Sequence, residues 1–153
     1  MKANYLLPQK FKIIGIALFI PTLILAIMFL LYDFEFSFLD VQVFSIINDP
    51  VIGDVEYFKC IKNNITNELL SVFAVLSLIF IAFSKQKIED EFVANIRLQS
   101  LLAATYINYL VLVVCILFFY DLSFLWIMLF NMFTLLIFFI IRFNVKMIQL
   151  KRK

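Results

Sequence analysis

Four stretches of this chain are too apolar and too poor in charge to lie in water. Phe11–Tyr32 carries no charge except Lys12 near its start. As a helix rising about 1.5 Å per residue it reaches roughly 33 Å, enough for a hydrocarbon core of about 30 Å. Leu69–Ser84 is shorter and is expected to borrow a turn from Asn64–Glu68, so that its helix covers residues 65–84. Leu98–Tyr120 and Leu122–Ile141 are the third and fourth runs, the last staying helical to residue 143. Asp121 marks a tight, polar-tipped hairpin between them. Runs of this length favour helices over barrel strands, which would be about 9–11 residues with strict alternation. Composition agrees: 65% of the 153 residues are hydrophobic and only 16% are charged, against about 45–50% and 25% in a soluble domain. These features predict an all-α membrane protein with four transmembrane helices in one domain, residues 1–153, whose first partner is the lipid bilayer.

The first run is longer than the 7–15 apolar residues of a signal peptide, and no small-x-small cleavage site follows it at Leu30–Asp33. It reads as a retained span, kinked at Pro21. Charge sets the orientation. Lys2, Lys10 and Lys12 precede the first span; Lys85, Lys87 and Arg97 lie between the second and third; Arg142, Lys146, Lys151, Arg152 and Lys153 close the chain. That is 11 of the 13 basic residues, with only Lys59 and Lys62 left in the loop between spans one and two. The positive-inside rule then predicts both termini in the cytoplasm. Net charge is only +2, which gives no footprint for direct nucleic-acid binding.

The outer loop, residues 33–64, alternates apolar and polar residues at Phe34–Phe38 and Val41–Val43 and carries turn signals at Asn48–Pro50 and Gly53–Asp54. It reads as one or two short strands, or an extended segment on the membrane, forming a small extracytoplasmic cap. Asn64-Ile65-Thr66 fits a glycosylation sequon, a triplet common by chance. Between spans two and three, Ser84 can cap a helix, acidic residues follow it, and Ile88, Phe92 and Ile96 form an i, i+4, i+8 stripe. With no Gly or Pro in the way, one long helix from Lys85 to Phe119 is expected, its first turns forming a cytoplasmic stalk over residues 85–97. Lys87, Glu89, Asp90, Glu91 and Arg97 would offer a docking face on that stalk.

Inside the spans, Asn108 and Asn131 lie at depths differing by about 4–5 Å across the Asp121 hairpin. Thr105 shares a face with Asn108, and Thr134 with Asn131. These four are expected to face inward and join the helices by hydrogen bonds, or else to line a polar path. No Asp, Glu, Lys or Arg occupies the centre of a span, which argues against an ion-coupled pump. There is no histidine, no C-x-x-C pair and no glycine-rich phosphate loop. The expectation is a non-enzymatic protein with no cofactor and no metal site.

Lys87-Ile-Glu-Asp-Glu-Phe, Ile96-Arg-Leu-Gln-Ser-Leu, Tyr106-Ile-Asn-Tyr, Phe124-Leu-Trp-Ile-Met, Phe130-Asn-Met-Phe-Thr and Ile140-Ile-Arg-Phe-Asn resemble small uncharacterised membrane proteins of Bacteroidetes over Ser84–Asn144. The span number and helical second loop are loosely similar to four-helix membrane proteins encoded beside Cro/C1-type helix-turn-helix regulators. That resemblance implies a sensor or adaptor partnering such a cytoplasmic regulator. The alternatives are a small oligomeric channel or membrane effector, formed by a homo-oligomer, and an accessory subunit of a larger membrane complex.

Overall fold

The computed structural model describes residues 6–32, 36–48 and 56–151. Four helices dominate: α1 (Lys10–Tyr32), α2 (Thr66–Ala82), α3 (Glu91–Phe118) and α4 (Asp121–Lys151). Between α1 and α2 stand two strands, β1 (Asp40–Asn48) and β2 (Glu56–Asn64). Three helices are long and apolar enough to cross a membrane: α1, α3, and Ser123–Leu150 of α4. The second apolar run gives α2, a helix of 17 residues, about 25 Å long and so some 5 Å short of a typical hydrocarbon core. The helix surfaces suit lipid, since large apolar side chains such as Ile13, Ile20, Leu110, Val113, Leu125 and Met132 stand exposed along them. The chain divides into two compact units, Met1–Ile20 with Ala74–Lys153, and Pro21–Phe73.

In the first unit the ends of the helices are tied by specific contacts. Leu7 and Ser84 form a parallel backbone bridge, with the Leu7 amide donating to the Phe83 carbonyl at 3.0 Å and the Lys85 amide to the Leu7 carbonyl at 2.8 Å. The start of α1 therefore lies beside the end of α2. Gly15 makes that approach close: a Cβ on it would stand 2.9 Å from the Ser77 carbonyl oxygen, from Phe80 Cβ and from Ile81 Cγ1. The ring of Phe11 packs edge-on against Phe80, centroids 5.2 Å apart. Helices α3 and α4 pack together, joined by the two residues Phe119 and Tyr120, the tight hairpin that Asp121 signalled. Ala82, Val93, Ala104, Phe139 and Phe143 form the buried core, with Leu101, Leu136 and Met147 packed on it.

Two expected boundaries are corrected. The third helix starts at Glu91 and not at Lys85. The Asp90 side chain accepts from the Val93 amide at 2.8 Å and caps it, the position an aspartate favours. Residues 85–90 are held in another path by the Leu7 bridge and by Glu89, which accepts from the Gln86 amide at 2.9 Å. The fourth helix runs past residue 143 to Lys151, because Lys146, Met147, Gln149 and Leu150 are good helix formers and a lysine charge suits a helix C-terminus.

In the second unit β1 and β2 pair antiparallel from Asp40↔Asn64 to Asn48↔Glu56. Of the two alternating stretches, Val41–Val43 lies in β1, whereas Ser37–Leu39 turns as a short 3-10 helix. β2, with no alternation to announce it, is the partner strand, and each strand is nine residues long. A polar knot fixes the base of the hairpin. Asn64 Nδ2 donates to Asp40 Oδ1 at 2.7 Å and to the Phe36 carbonyl at 3.0 Å, and its Oδ1 accepts from the Thr66 amide at 3.0 Å. Thr66, 2% exposed, accepts from the Phe36 amide at 3.2 Å. Both hydrogens of the Asn64 amide are thus donated within the fold. Phe58 sits in the left-handed region at φ 51, unusual for a bulky residue, and the ladder is interrupted opposite it, between Ser45↔Lys59 and Ile47↔Tyr57.

The Gly15 contact predicts that Gly15→Val lowers the melting temperature of the detergent-solubilised protein, with an overpacking cost of about 1–3 kcal/mol. Gly15→Ala should cost less, since alanine returns about 1 kcal/mol of helix propensity. An unchanged melting temperature for the valine variant would mean that α1 and α2 do not approach this closely.

Candidate functional site

Two polar groupings stand out in the first unit. The first joins α3 to α4 in the middle of their apolar runs. Asn108 is 3% exposed, and its Oδ1 accepts from Thr134 Oγ1 at 2.5 Å. Thr134 Oγ1 also lies 3.0 Å from the Asn131 carbonyl and 3.3 Å from Asn131 Oδ1. A threonine hydroxyl has one hydrogen, so it donates to one of these acceptors at a time, and Asn108 is nearest. Three of the four expected polar residues are therefore brought together. The fourth, Thr105, turns to its own helix and donates to the Leu101 carbonyl at 2.9 Å.

The second grouping is built around Arg97. A helix leaves its last carbonyls without partners inside the helix, and the end of α2 is satisfied residue by residue. The Ile81 carbonyl accepts from Ser84 Oγ at 3.3 Å, the Phe83 carbonyl from Leu7, and the Ala82 carbonyl from Arg97 Nη1 at 3.1 Å. Arg97 also reaches the Ser84 carbonyl, at 3.4 and 3.5 Å. Its Nη2 pairs with Glu89 Oε1 at 3.1 Å and Oε2 at 3.2 Å. Its guanidinium carbon stands 4.7 Å from the centre of the Phe143 ring, a cation–π distance. Phe143 stacks on Phe139, and Phe139 on Phe83, with centroids 5.9 and 5.8 Å apart. One column of groups thus links the end of α2, the start of α3 and the last third of α4.

The docking residues expected from sequence divide into two sets. Arg97 and Glu89 are only 11% and 19% exposed and hold each other, while Asp90 is spent on its cap. Lys87 and Glu91 stand exposed. So do Ile88 and Phe92 of the apolar stripe, whereas Ile96 packs against the core. Among the described residues no group of three or more His, Cys, Asp or Glu side chains could hold a metal ion. Cys60 and Cys115 are both free thiols.

Leu7 and the Phe83–Phe139–Phe143 column escaped the sequence reading. The i, i+4 spacing of Phe139 and Phe143 was the available signal; nothing local marks Leu7. Comparison with protein-family models, curated proteins and solved structures finds no match.

A double-mutant cycle of Asn108→Ala and Thr134→Val, read by unfolding in mixed micelles, should give a coupling of about 0.6 kcal/mol, and no more than about 2. Purely additive losses would show that the two side chains do not bond.

Proposed function

We propose that this chain is a bacterial inner-membrane protein that crosses the bilayer four times with both termini in the cytoplasm, and that it serves without catalysis as a sensor or adaptor for a cytoplasmic regulator. The Leu7–Ser84 bridge carries the membrane part of this reading. If α1 crosses, as its length allows, the chain after Tyr32 is on the far side. Ser84 lies beside Leu7, so α2 has to bring the chain back. Ile65 before α2 and Phe83–Ser84 after it add length, and local thinning of the bilayer offsets a short span at modest cost. Contacts of Arg97 with α2 and with Phe143 place the start of α3 and the end of α4 at that same end. Basic residues from four separate segments gather there, among them Lys10, Lys85, Lys87, Arg97, Arg142 and Lys146. The positive-inside rule favours the cytoplasm for such an end.

The adaptor part is supported by what stands outward beside the Arg97 column. Lys87, Ile88, Glu91 and Phe92 combine mixed charge with exposed apolar side chains, the composition that receives a partner helix. A regulator of the helix-turn-helix class, which the resemblance of the second loop suggests, is the partner proposed. The channel alternative draws less support. Thr134 bonds Asn108 across the two helices and Thr105 bonds its own helix, so these hydroxyls serve helix contacts instead of lining an open path.

Sidedness is tested with thiols. In a Cys115→Ser background, native Cys60 should react with an impermeant maleimide in spheroplasts. A cysteine introduced by Lys87→Cys in a Cys60→Ser/Cys115→Ser background should react only after permeabilisation. Labelling of position 87 in intact spheroplasts would overturn the topology. For the adaptor role, Lys87→Glu with Ile88→Asn should lower co-purification of the regulator severalfold while leaving the melting temperature close to wild type. Unchanged recovery would remove this surface from the interaction.

A further inference from the structure

Beside the Arg97 column, the first turns of α3 and the last turns of α4 enclose a cleft of about 290 Å³. Arg142 and Lys146 line it from α4, and Phe92, Asn95, Ile96 and Gln99 line it from α3. No carboxylate lines it among the described residues. Arg142 and Lys146 are one helical turn apart on one face, and like charges at that spacing repel by a few tenths of a kcal/mol. Neither head group has an ion pair or hydrogen bond among the described residues. Arg97 at this end is instead held by a carboxylate, two carbonyls and a ring, while Lys85 and Lys87 stand exposed outside the cleft. Two cations left unneutralised in one cleft, next to neutral amides, make a receptor for an anion.

Position and lining narrow the anion. Arg142 is the first charge after the uncharged run Leu122–Ile141, and Asn95 and Gln99 flank Arg97, after which Leu98–Tyr120 is uncharged. The cleft therefore opens where an apolar band gives way to charge, the level of lipid phosphates if that band lies in a bilayer. A planar guanidinium and an ammonium together suit the tetrahedral oxygens of a phosphate. We propose that the cleft binds a phosphate group, Arg142 and Lys146 pairing with its oxygens, Asn95 and Gln99 donating from their amides, and Phe92 and Ile96 flanking whatever apolar part the ligand carries. Two sources can present that group, an acidic phospholipid headgroup and a soluble phosphate. The apolar walls suit the lipid better.

The test uses the full chain in a neutral detergent, with short-chain phosphatidylglycerol, short-chain phosphatidylcholine and inorganic phosphate as separate probes in a binding titration. Phosphatidylglycerol should bind more tightly than phosphatidylcholine. Arg142→Gln and Lys146→Gln should each weaken it about fivefold, and together about 30-fold. Asn95→Trp, which fills the cleft and keeps both charges, should weaken it similarly. Lys85→Gln with Lys87→Gln removes as much charge from the same end and should change affinity less than twofold. Inorganic phosphate binding with the same variant pattern, and competing fully with phosphatidylglycerol, would support the site and assign it to a soluble ligand. Equal losses from the Lys85/Lys87 and Arg142/Lys146 pairs would overturn the proposal in favour of general surface charge. So would unchanged binding by Asn95→Trp with its melting temperature intact.

Discussion

The unpaired carbonyls at the end of α2 are the constraint around which the first unit is arranged. An α-helix whose end is buried in the fold, as Ala82 and Ser84 are here, leaves acceptors that water cannot reach, each costly if unmet. Here Leu7, Ser84 and Arg97 divide the carbonyls of residues 81–84 between them. Each donor comes with a structural consequence. Leu7 brings the start of α1 to this point. Arg97 brings the start of α3, and through its ring contact the end of α4. The meeting of the helix ends follows from hydrogen-bond demand, which greasy side chains alone would not impose, because apolar surfaces pack against lipid as well as against each other.

Arg97 shows how local sequence can mislead. The stretch from Lys85 reads as helix: a serine to cap it, acidic residues in its first turns, an apolar stripe and no breaker. In a continuous helix, however, Glu89 and Arg97 would stand about 12 Å apart along the axis, too far to pair. Their 3.1 Å contact requires the chain to fold back before Glu91, and Asp90 supplies the cap that lets α3 begin there. The decisive partners, Leu7 and the α2 carbonyls, lie far away in sequence. By contrast the Asn108–Thr134 pair was legible, because a two-residue hairpin fixes the depth of each side chain and polar groups in apolar helices have few other partners. The first strand was legible from the alternation at Val41–Val43, yet its partner Glu56–Asn64 and the knot at their base were not: Asn64, Asp40 and Phe36 meet only once the hairpin register is set. The length of α2 was legible as a shortfall, and the structure keeps it one.

Energetics also decide which charges are available to a partner. Drawing Glu89 away from Arg97 would strand a guanidinium that is 11% exposed and whose Nε already lacks a hydrogen-bond partner. Removing one member of such a buried pair costs about 3–5 kcal/mol, comparable with much of the free energy of a modest protein–protein contact. A regulator that needed Glu89 or Asp90 would have to disrupt the start of α3 to obtain them. Contacts at Lys87, Ile88 and Phe92 carry no such penalty, because these side chains already face outward. A charge reversal of Glu89, Asp90 and Glu91 together would therefore mix loss of a cap and of an ion pair with loss of a surface. The surface is isolated only when Lys87 and Ile88 are changed alone.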